Sequence, residues 1–585
     1  MKKLVSRFMA VLMAMTMILS MSMTAFAAEP QKGTLTVNNT VAGKTLDLYQ
    51  IFTATKNGDN VAYTLNSAYE GFFQSKISGA STLTGEALSE KAYEYVKTQV
   101  GTDGKNGTGF AKEILGWILE NATTVATTHT TANTTAGTTV INNLDYGYYV
   151  VYPLGATDTS TVPGNETVKS VASLVSVTGT DATVNMKSNY PTVDKKIIPA
   201  QSGSGAKVDA IVNGSWENVS HMGLDEDDEN ESEDTIAPRG AADEKKAEDF
   251  GIGDTVTYQL TSKVPDMTGY NSYTFKFSDT LSKGLDLKEV LSVKVGNTTL
   301  TAKKAGTNTY ALAYDQAKRT LTVTLNDFYN SYKNRTGETI TVVYTATLNK
   351  DAVIGMNPNT NKAVVEYSNN PTTGGTGTSE PSIVDVHTFD FTIYKYYLKD
   401  QNNKEDKTAL ANAEFELYKA NTTGDAADTN AKINIVDEGN GVYRQATADE
   451  AKVTGFTSAK IVSDNDGKVL VKGLVAGTYY LRETKAPDGY NKLLSDIKVE
   501  IKANYDETTG KLTSYSVDYT YNGTPITGNA ITTKDNSPEV AVENKTGAQL
   551  PSTGSKGALM VTLAGIVLFG VLTASKAFGK KKANK

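Results

Sequence analysis

Three short segments in the C-terminal third of the sequence each place a polar, reactive side chain in line with apolar ones. In the segments FDFTIYK, TYYLRE and VAVEN, the polar residue lies two or four positions from apolar residues, so it has the same parity, odd or even, along the strand. These polar residues are Lys395, Glu483 and Asn544. Because side chains along a β-strand alternate between its two faces, the three polar groups point to the same side as the core residues. Unpaired buried charges are costly, so we expect these groups to meet.

The chemistry open to such a set follows from its removal from water. Desolvation lowers the pKa of the Lys395 amine, which becomes uncharged and nucleophilic. A Glu483 carboxyl that holds a proton in this environment can polarise an amide and relay the proton. The alternative is a buried salt bridge beside a hydrogen-bonded Asn544, with no reaction.

A second set of the same residue types occurs earlier in the chain. Lys195 in PTVDKKI and Asn361 in NKAVVEY each lie two positions from apolar residues, so each is predicted to face the core with them. Two acids compete for the third position, Asp279 in FKFSDTLSKGL and Asp254 in GDTVTYQL. Asp254 could instead be a turn residue at the start of its strand.

The elements that must position these residues are predicted to be mostly strands. The 585-residue chain has 31 Tyr, abundant Thr and Val, little Pro and no Cys, which favours an all-β-dominated fold. Many short strands separated by turn residues predict tandem immunoglobulin-like β-sandwiches at 189–385 (the second domain) and 388–547 (the third domain). The first domain, 28–188, is predicted to be mixed, because Glu86–Val100 and Phe110–Asn121 have helical periodicity.

Two polar stretches interrupt this pattern. Residues 223–249 are crowded with Asp and Glu, which predicts a solvated, poorly ordered insertion. A calcium site is the alternative there, although no regular ligand loop supports it. The Gly/Thr/Pro stretch Pro371–Pro381 is predicted to be the linker to the third domain. The net charge of −8 argues against nucleic-acid binding, and no residue set predicts a metal or cofactor site.

Both ends of the sequence carry targeting signals. Residues 1–27 combine a basic start, an apolar run and Ala-Phe-Ala, which predicts a cleaved signal peptide rather than a membrane anchor. Residues 550–585 hold an LPSTG string, an apolar segment at 558–574 that could cross most of a bilayer, and a basic tail. The string consists of Leu550, Pro551, Ser552, Thr553 and Gly554.

The C-terminal arrangement resembles the sortase sorting signal of Gram-positive surface proteins. The resemblance implies cleavage between Thr553 and Gly554 and transfer of the Thr553 carbonyl to an amine. It also implies export and covalent anchoring to the cell wall. An ordinary tail-anchored protein is the alternative.

The third domain resembles a collagen-adhesin B-type domain. The resemblance rests on the string from Phe391 to Tyr418 with LANAEFELYK, on YYLRETKAPDGY, and on VENKTGAQLPSTG. It implies that the Lys395 amine attacks the Asn544 side-chain amide, releasing ammonia and leaving an isopeptide bond. Glu483 is implied to be the catalytic acid.

The chain as a whole resembles the major pilins of Gram-positive sortase-assembled pili. The string DTLSKGL resembles a motif of the pilin middle domain, and it favours Asp279 over Asp254 as the acid for a second isopeptide bond. That bond would join Lys195 to Asn361. The first domain has no comparable set, since only Lys44 and Asn185 are conceivable.

Pilins of this family carry an acceptor lysine in a Tyr-Pro-Lys-Asn motif just before the second domain. A sortase joins that lysine to the cleaved Thr of the next subunit. Here the motif is altered, because Thr192 stands in place of the lysine. Lys187 lies in the equivalent region and faces away from Val184 and Met186 by strand parity, so it is the predicted acceptor. Lys196 is the alternative acceptor.

These resemblances predict the structural backbone subunit of a wall-anchored pilus that serves surface adhesion, not an enzyme with turnover. The implied partners are pilus-specific and housekeeping sortases, identical subunits, minor pilins and peptidoglycan. The host ligand is not predictable. Two other classes stay open, a monomeric wall-anchored adhesin and a minor pilin at the base or tip.

Overall fold

The computed structural model describes residues 31–101, 106–157, 170–186, 189–201, 203–218, 245–533 and 536–546. The predicted signal peptide, Lys187, residues 223–244 of the acidic stretch and the whole sorting signal, including its apolar segment at 558–574, lie outside these ranges. Among the residues described, no helix is both long and apolar enough to cross a membrane.

The first domain combines sheets with helices, as its periodicity predicts. Its strands are β1 (Lys32–Thr40), β2 (Leu46–Asn57), β3 (Asn60–Leu65), β4 (His129–Thr131), β5 (Gly137–Asp145), β6 (Gly147–Pro153), β7 (Ser173–Val177) and β8 (Ala182–Asn185), and its helices are α1 (Glu70–Lys76), α2 (Gly85–Val100) and α3 (Gly107–Glu120). One sheet has the order β5-β1-β8 and the other β3-β2-β6-β7, with β4 beside β2. Helix α2 buries Leu88, Ala92 and Val96, which share one face, and Gly101, which follows its last residue, has a φ of 75°.

The second domain is a sandwich of two sheets. Its elements are β9 (Asp194–Ile198), β10 (Ala206–Lys207), α4 (Val208–Asn213), β11 (Ala247–Asp249), β12 (Thr255–Lys263), β13 (Phe275–Leu281), β14 (Leu285–Val295), β15 (Thr298–Thr299), β16 (Thr301–Ala302), β17 (Thr309–Asp315), β18 (Thr320–Leu325), α5 (Phe328–Tyr332), β19 (Thr339–Leu348), β20 (Asn359–Ser368), β21 (Thr376–Thr378) and β22 (Ser382–His387). One sheet has the order β10-β14-β19-β12-β9 and the other β11-β22-β20-β13-β18-β17-β16. The apolar core lies between them.

The third domain repeats the sandwich with different connections. Its elements are β23 (Phe389–Leu398), β24 (Lys407–Ala409), β25 (Glu414–Ala420), β26 (Ala427–Lys432), β27 (Ile435–Gly439), β28 (Val442–Gln445), α6 (Ala448–Lys452), β29 (Ile461–Val462), β30 (Lys468–Leu474), β31 (Gly477–Lys485), β32 (Ile497–Tyr505), β33 (Leu512–Tyr521), β34 (Thr524–Ile526) and β35 (Glu539–Glu543). The sheet orders are β24-β23-β30-β28-β27, with β35 beside β23, and β26-β25-β31-β32-β33-β34. The predicted all-β-dominated fold of tandem immunoglobulin-like sandwiches, with helices in the first domain, is confirmed.

Strand alternation carries the predicted lysines into the two cores. In β23 the odd-numbered positions Phe391, Ile393 and Lys395 are all fully buried, whereas the residues between them are partly exposed. In β9 the buried positions are Lys195 and Ile197. The period-two argument made from the sequence therefore holds for both lysines.

The end of the acidic stretch is buried, contrary to the predicted solvated insertion. Strand β11 pairs in parallel with β22, and Glu248 and Asp249 are each 1% exposed. The Asp249 carboxylate accepts hydrogen bonds from the backbone N–H of Ala476 (2.7 Å) and from the Tyr505 hydroxyl (2.9 Å) in the third domain. A non-local strand pair, rather than local charge density, decides the burial here, so the prediction is wrong for these residues.

The predicted linker is also part of the second domain. Within Pro371–Pro381, strand β21 pairs with β20, and β22 then returns beside β20. Only Thr388, which is fully buried, separates the end of β22 from the start of β23. The connection between the two sandwiches is therefore a single buried residue.

Candidate functional site

The third domain brings its lysine and asparagine together through neighbouring strands. β35 lies parallel to β23, with Lys395 opposite Val542 in the register. Asn544 follows directly after β35, and its backbone N–H donates to the Tyr396 carbonyl at 2.9 Å. Glu483 comes from β31 in the facing sheet. The first and last strands of the domain thus carry the amine and the amide, and the opposite sheet carries the acid.

The three side chains form one contact group inside the core. Lys395 Nζ lies 3.1 Å from Glu483 Oε1, and Asn544 Nδ2 donates to Glu483 Oε2 at 3.2 Å. All three residues are at most 3% exposed. One carboxyl group therefore faces the amine with one oxygen and the amide with the other.

Burial sets the electrostatics of this group. Desolvation lowers the pKa of Lys395 to about 8, against the opposing attraction of Glu483. Within the described part of the chain, Lys395 Nζ, Glu483 Oε1 and Asn544 Oδ1 have no partner in hydrogen-bond geometry. Buried polar atoms without hydrogen bonds raise the free energy of the folded state, which favours a reaction that removes the charges.

Two backbone groups that the sequence argument missed hold this site in place. The Leu493 N–H donates to Glu483 Oε2 at 2.7 Å, and Asn544 Nδ2 donates to the Asn491 carbonyl at 2.7 Å. The loop that contains them is tied down, because the Asn491 N–H donates to the Lys545 carbonyl at 2.9 Å. Side-chain parity cannot reveal backbone partners; the only signal was the continuation of the YYLRETKAPDGY string into this loop.

The second domain divides its set differently, with the lysine in one sheet and both the acid and the asparagine in the other. Lys195 lies on β9, opposite Leu260 of β12. Asp279 on β13 and Asn361 on β20 belong to the facing sheet, on paired strands. β20 is followed by β21 and β22, so this pair does not join the first strand to the last strand as the pair in the third domain does.

A tyrosine that the sequence argument missed lies at the centre of this second site. Lys195 Nζ contacts both the Asp279 carboxylate and the Tyr344 hydroxyl. The Tyr344 hydroxyl donates to Asp279 Oδ1 at 2.7 Å and accepts from Asn361 Nδ2 at 2.8 Å. The signal available in the sequence was a tyrosine at a buried parity position in TVVYTATL, because a buried hydroxyl needs a partner.

Desolvation dominates the titration of the second site as well. Burial lowers the pKa of Lys195 to about 8, although Asp279 opposes the shift. Burial also raises the pKa of Asp279, against the stabilising contacts of Lys195 and Tyr344. Both shifts favour the uncharged pair of amine and carboxylic acid. An uncharged amine is the form that can attack an amide.

The structure separates Asp254 from this site. Asp254 Oδ2 accepts from the Gly251 N–H at 2.7 Å in the turn before β12, and its charge acts on Tyr479 of the third domain. Lys195 instead pairs near the middle of β12. Of the two acids, Asp279 contacts Lys195, whereas Asp254 caps the turn before β12, so Asp279 is the acid that we carry into the proposal.

The candidates around the first domain are more dispersed. Lys44 Nζ donates to the Tyr367 hydroxyl of the second domain at 3.3 Å, whereas Asn185 Oδ1 accepts from Asn38 at 2.9 Å, so the two do not meet. Lys196 is partly buried and lies 3.5 Å from Asp194. Next to the undescribed Lys187, Met186 is buried and Asn185 is exposed, which is the alternation that the parity argument assumed.

Two family models match the chain at these sites. The Gram-positive pilin backbone subunit 2, Cna-B-like domain, matches residues 252–371, which include Asp279, Tyr344 and Asn361. The SpaA prealbumin-like fold domain matches residues 399–515, which include Glu483.

Individual proteins are also similar to this chain. The trypsin-resistant surface T6 protein of Streptococcus pyogenes serotype M6 is 24% identical over 48% of this chain and 48% of its own, so the chain spans about half the length of this curated relative. The solved T6 backbone pilin is 18% identical over 88% of this chain and 94% of its own, with a TM-score of 0.41. The group B streptococcus pilus 2b backbone protein is 25% identical over 52% and 98%, with a TM-score of 0.35. Residues 252–371 and 399–515 of the chain are therefore each similar to a domain family, the first of them a Gram-positive pilin backbone domain.

Proposed function

We propose that the protein is the backbone subunit of a sortase-assembled pilus, whose second and third domains are each locked by a self-formed isopeptide bond. The observation that carries the proposal is the pair of buried Lys–acid–Asn groups, one in each sandwich. A shaft subunit that is pulled at the cell surface needs resistance to unfolding, and this chain has no Cys for disulfides. Covalent links between strands supply it.

The condensation proposed for the third domain follows from the contacts of Glu483. The Lys395 amine forms a bond to the side-chain carbonyl carbon of Asn544, and the bond from that carbon to Nδ2 breaks. Glu483 Oε1 faces the amine, from which it takes one proton, and Oε2 faces Nδ2, which receives one. Ammonia leaves, and an uncharged amide replaces the buried charges.

The mass of the intact protein tests both bonds at once. Each condensation releases one ammonia, so the mature chain should weigh roughly 34 Da less than its sequence, about 17 Da for each bond. Asn361→Ala and Asn544→Ala should each restore about 17 Da beyond the change of residue. These variants keep the lysine–acid pairs intact, which protects the fold.

Asp254→Asn is the control for the choice of acid, and it should retain the whole mass deficit. Peptide mapping should find Lys195 linked to Asn361 and Lys395 linked to Asn544. A wild-type protein at its full sequence mass would refute both bonds.

Polymerisation completes the proposed function. The sorting signal at 550–554 would supply the Thr553 carbonyl, and Lys187 the acceptor amine, with Lys196 as the second candidate. Pilus-specific and housekeeping sortases, identical subunits, minor pilins and peptidoglycan are the proposed partners. What supports this assembly is the relationship to backbone pilins together with the sorting-signal pattern in the sequence.

A further inference from the structure

The two sites differ in how the acid reaches the amide. In the third domain, the Glu483 carboxyl contacts both Lys395 and Asn544. In the second domain, the Asp279 carboxyl contacts Lys195 and Tyr344, and the Asn361 amide contacts Tyr344 instead of the acid.

The difference has a simple stereochemical cause. An aspartate side chain is one methylene shorter than a glutamate side chain, so its carboxyl stays closer to the backbone. The Tyr344 hydroxyl occupies the space between Asp279 and Asn361 and hydrogen-bonds to both. At the third-domain site, no described hydroxyl group bridges the acid and the amide.

Packing fixes the position of the Tyr344 hydroxyl. Tyr344 is fully buried on β19, and its ring stacks on Tyr258 with a centroid distance of 5.2 Å and an interplanar angle of 24°. Lys195 Nζ lies 4.9 Å from the centre of the Tyr344 ring and 4.8 Å from that of Tyr258. The aromatic pair therefore holds both the amine and the hydroxyl with little freedom.

We propose that Tyr344 is a catalytic residue of the condensation in the second domain, where its hydroxyl carries the proton from Asp279 to the departing amide nitrogen of Asn361. The inference rests on the proposed isopeptide bond and adds to it the route of the proton. It also separates the two sites by mechanism, since a longer acid acts alone in the third domain and a shorter acid acts through a tyrosine in the second.

The proposed step balances in atoms and charge. The reactants are the uncharged Lys195 amine and Asp279 protonated on Oδ1, in which form Oδ1–H donates to the Tyr344 oxygen and the Tyr344 hydroxyl hydrogen turns towards Asn361. Nζ bonds to the side-chain carbonyl carbon of Asn361 and gives one proton to Asp279 Oδ2, while the proton on Oδ1 passes to the Tyr344 oxygen. Tyr344 gives its own proton to Nδ2, the carbon–Nδ2 bond breaks, and ammonia leaves. Asp279 and Tyr344 end as they began, each with one proton.

The environment keeps Tyr344 ready for this role. Burial and the nearby Asp279 carboxylate raise the pKa of Tyr344 well above its ordinary value, so the hydroxyl stays protonated. A protonated phenol can accept one proton while it donates another, which a carboxylate too distant from the amide cannot do by itself.

The test is Tyr344→Phe in the full mature chain. This change removes one oxygen and keeps the ring that stacks on Tyr258. Intact-mass measurement after timed cell-free synthesis should show the third-domain loss at the wild-type rate. The second-domain loss should slow by about 100-fold, the usual contribution of a positioned proton-transfer group. The third-domain bond is thus an internal control for synthesis and folding.

Two further variants distinguish proton transfer from packing. Tyr332→Phe removes another fully buried hydroxyl of the second domain, on α5, that has no hydrogen-bond partner among the described residues, and it should leave both losses at the wild-type rate. Tyr344→Phe combined with Asp279→Glu should recover the second-domain loss, because the longer acid can reach the amide directly, as Glu483 does.

Each outcome decides the proposal. A Tyr344→Phe chain that forms the second bond at the wild-type rate overturns the role of Tyr344 and leaves the bond itself standing. Equal slowing in Tyr332→Phe, or no recovery with Asp279→Glu, assigns the effect to packing and also overturns the role. A wild-type chain that never forms the second-domain bond overturns the proposed condensation and the Tyr344 inference with it.

Discussion

Replacing Asn544 with alanine should lower the free energy of unfolding of the third domain by about 4–5 kcal/mol, the cost expected for opening a covalent loop of well over a hundred residues. The bond between Lys395 and Asn544 would close nearly the whole domain, since Lys395 lies on its first strand and Asn544 directly follows its last strand. The cross-link restricts the unfolded chain, and its loss returns that entropy. Such a change corresponds to a drop in melting temperature of about 10 °C or more.

The measurement is thermal unfolding combined with timed trypsin digestion, so that the cleaved domain can be identified. Glu483→Gln provides an independent version of the test. It keeps the size of the acid and leaves both reacting groups in place, but it removes the proton relay, so the bond should stay unmade. The two variants should melt at similar temperatures, and both should admit trypsin to the third domain.

A matched control separates the bond from the loss of an acidic side chain. Glu414 lies on β25, the strand paired with β31, and it makes only a long, partly exposed contact with Lys485 at 3.6 Å. Glu414→Gln should cost no more than about 1 kcal/mol, as is usual for surface ion pairs. Unchanged melting and digestion in both Asn544→Ala and Glu483→Gln would be decisive against a bond in this domain.

Lys187→Ala should abolish the high-mass ladder of covalent polymers while leaving a folded subunit attached to the cell wall. In the proposed function, polymerisation needs a donor carbonyl from Thr553 and an acceptor amine that the sortase can reach. Lys187 lies outside the described residues, and its predicted accessibility rests on its sequence parity, which is opposite to that of Val184 and the buried Met186. An accessible amine of this kind relies on the enzyme for activation, unlike the buried Lys195 and Lys395.

The experiment is an immunoblot of cell-wall extracts from cells that express the matching pilus sortase. Lys196→Ala is the paired variant, because Lys196 is the alternative acceptor and already lies near Asp194. Loss of the ladder in Lys196→Ala alone would move the acceptor to that residue and keep the pilin function. A ladder that survives the double change would place the acceptor elsewhere. A wild-type chain that never forms a ladder beside its sortase would favour the monomeric adhesin.

The local residue pattern determined which strand side chains of this protein are buried and where the helices of its first domain lie. Two-residue alternation in FDFTIYK and PTVDKKI was enough to bury Lys395 and Lys195, because the face of a strand on which a side chain lies depends only on its position in that strand. Helical periodicity likewise located α2 and α3 in the first domain. These properties are set within a few residues of chain, so the sequence alone predicts them.

Contacts between strands that are distant in the sequence could not be predicted from the local pattern. The sequence parity of both Asp279 and Asp254 is compatible with a side chain that faces the core. Only the pairing of β13 with β20 places Asp279 on the strand next to that of Asn361 and in contact with Lys195. Tyr344 was one buried tyrosine among many until β19 placed its hydroxyl between the acid and the amide.

The same reason explains the error over the acidic stretch. The composition of residues 223–249 predicts solvation, yet Asp249 is buried because β11 pairs with β22, far along the chain, and because Ala476 and Tyr505 supply hydrogen-bond donors. A sequence determines which side chains can leave water on one face of an element. Tertiary structure decides which hydrogen-bond and ion-pair partners offset the free-energy cost of burying them, because those partners come from strands that only folding brings together.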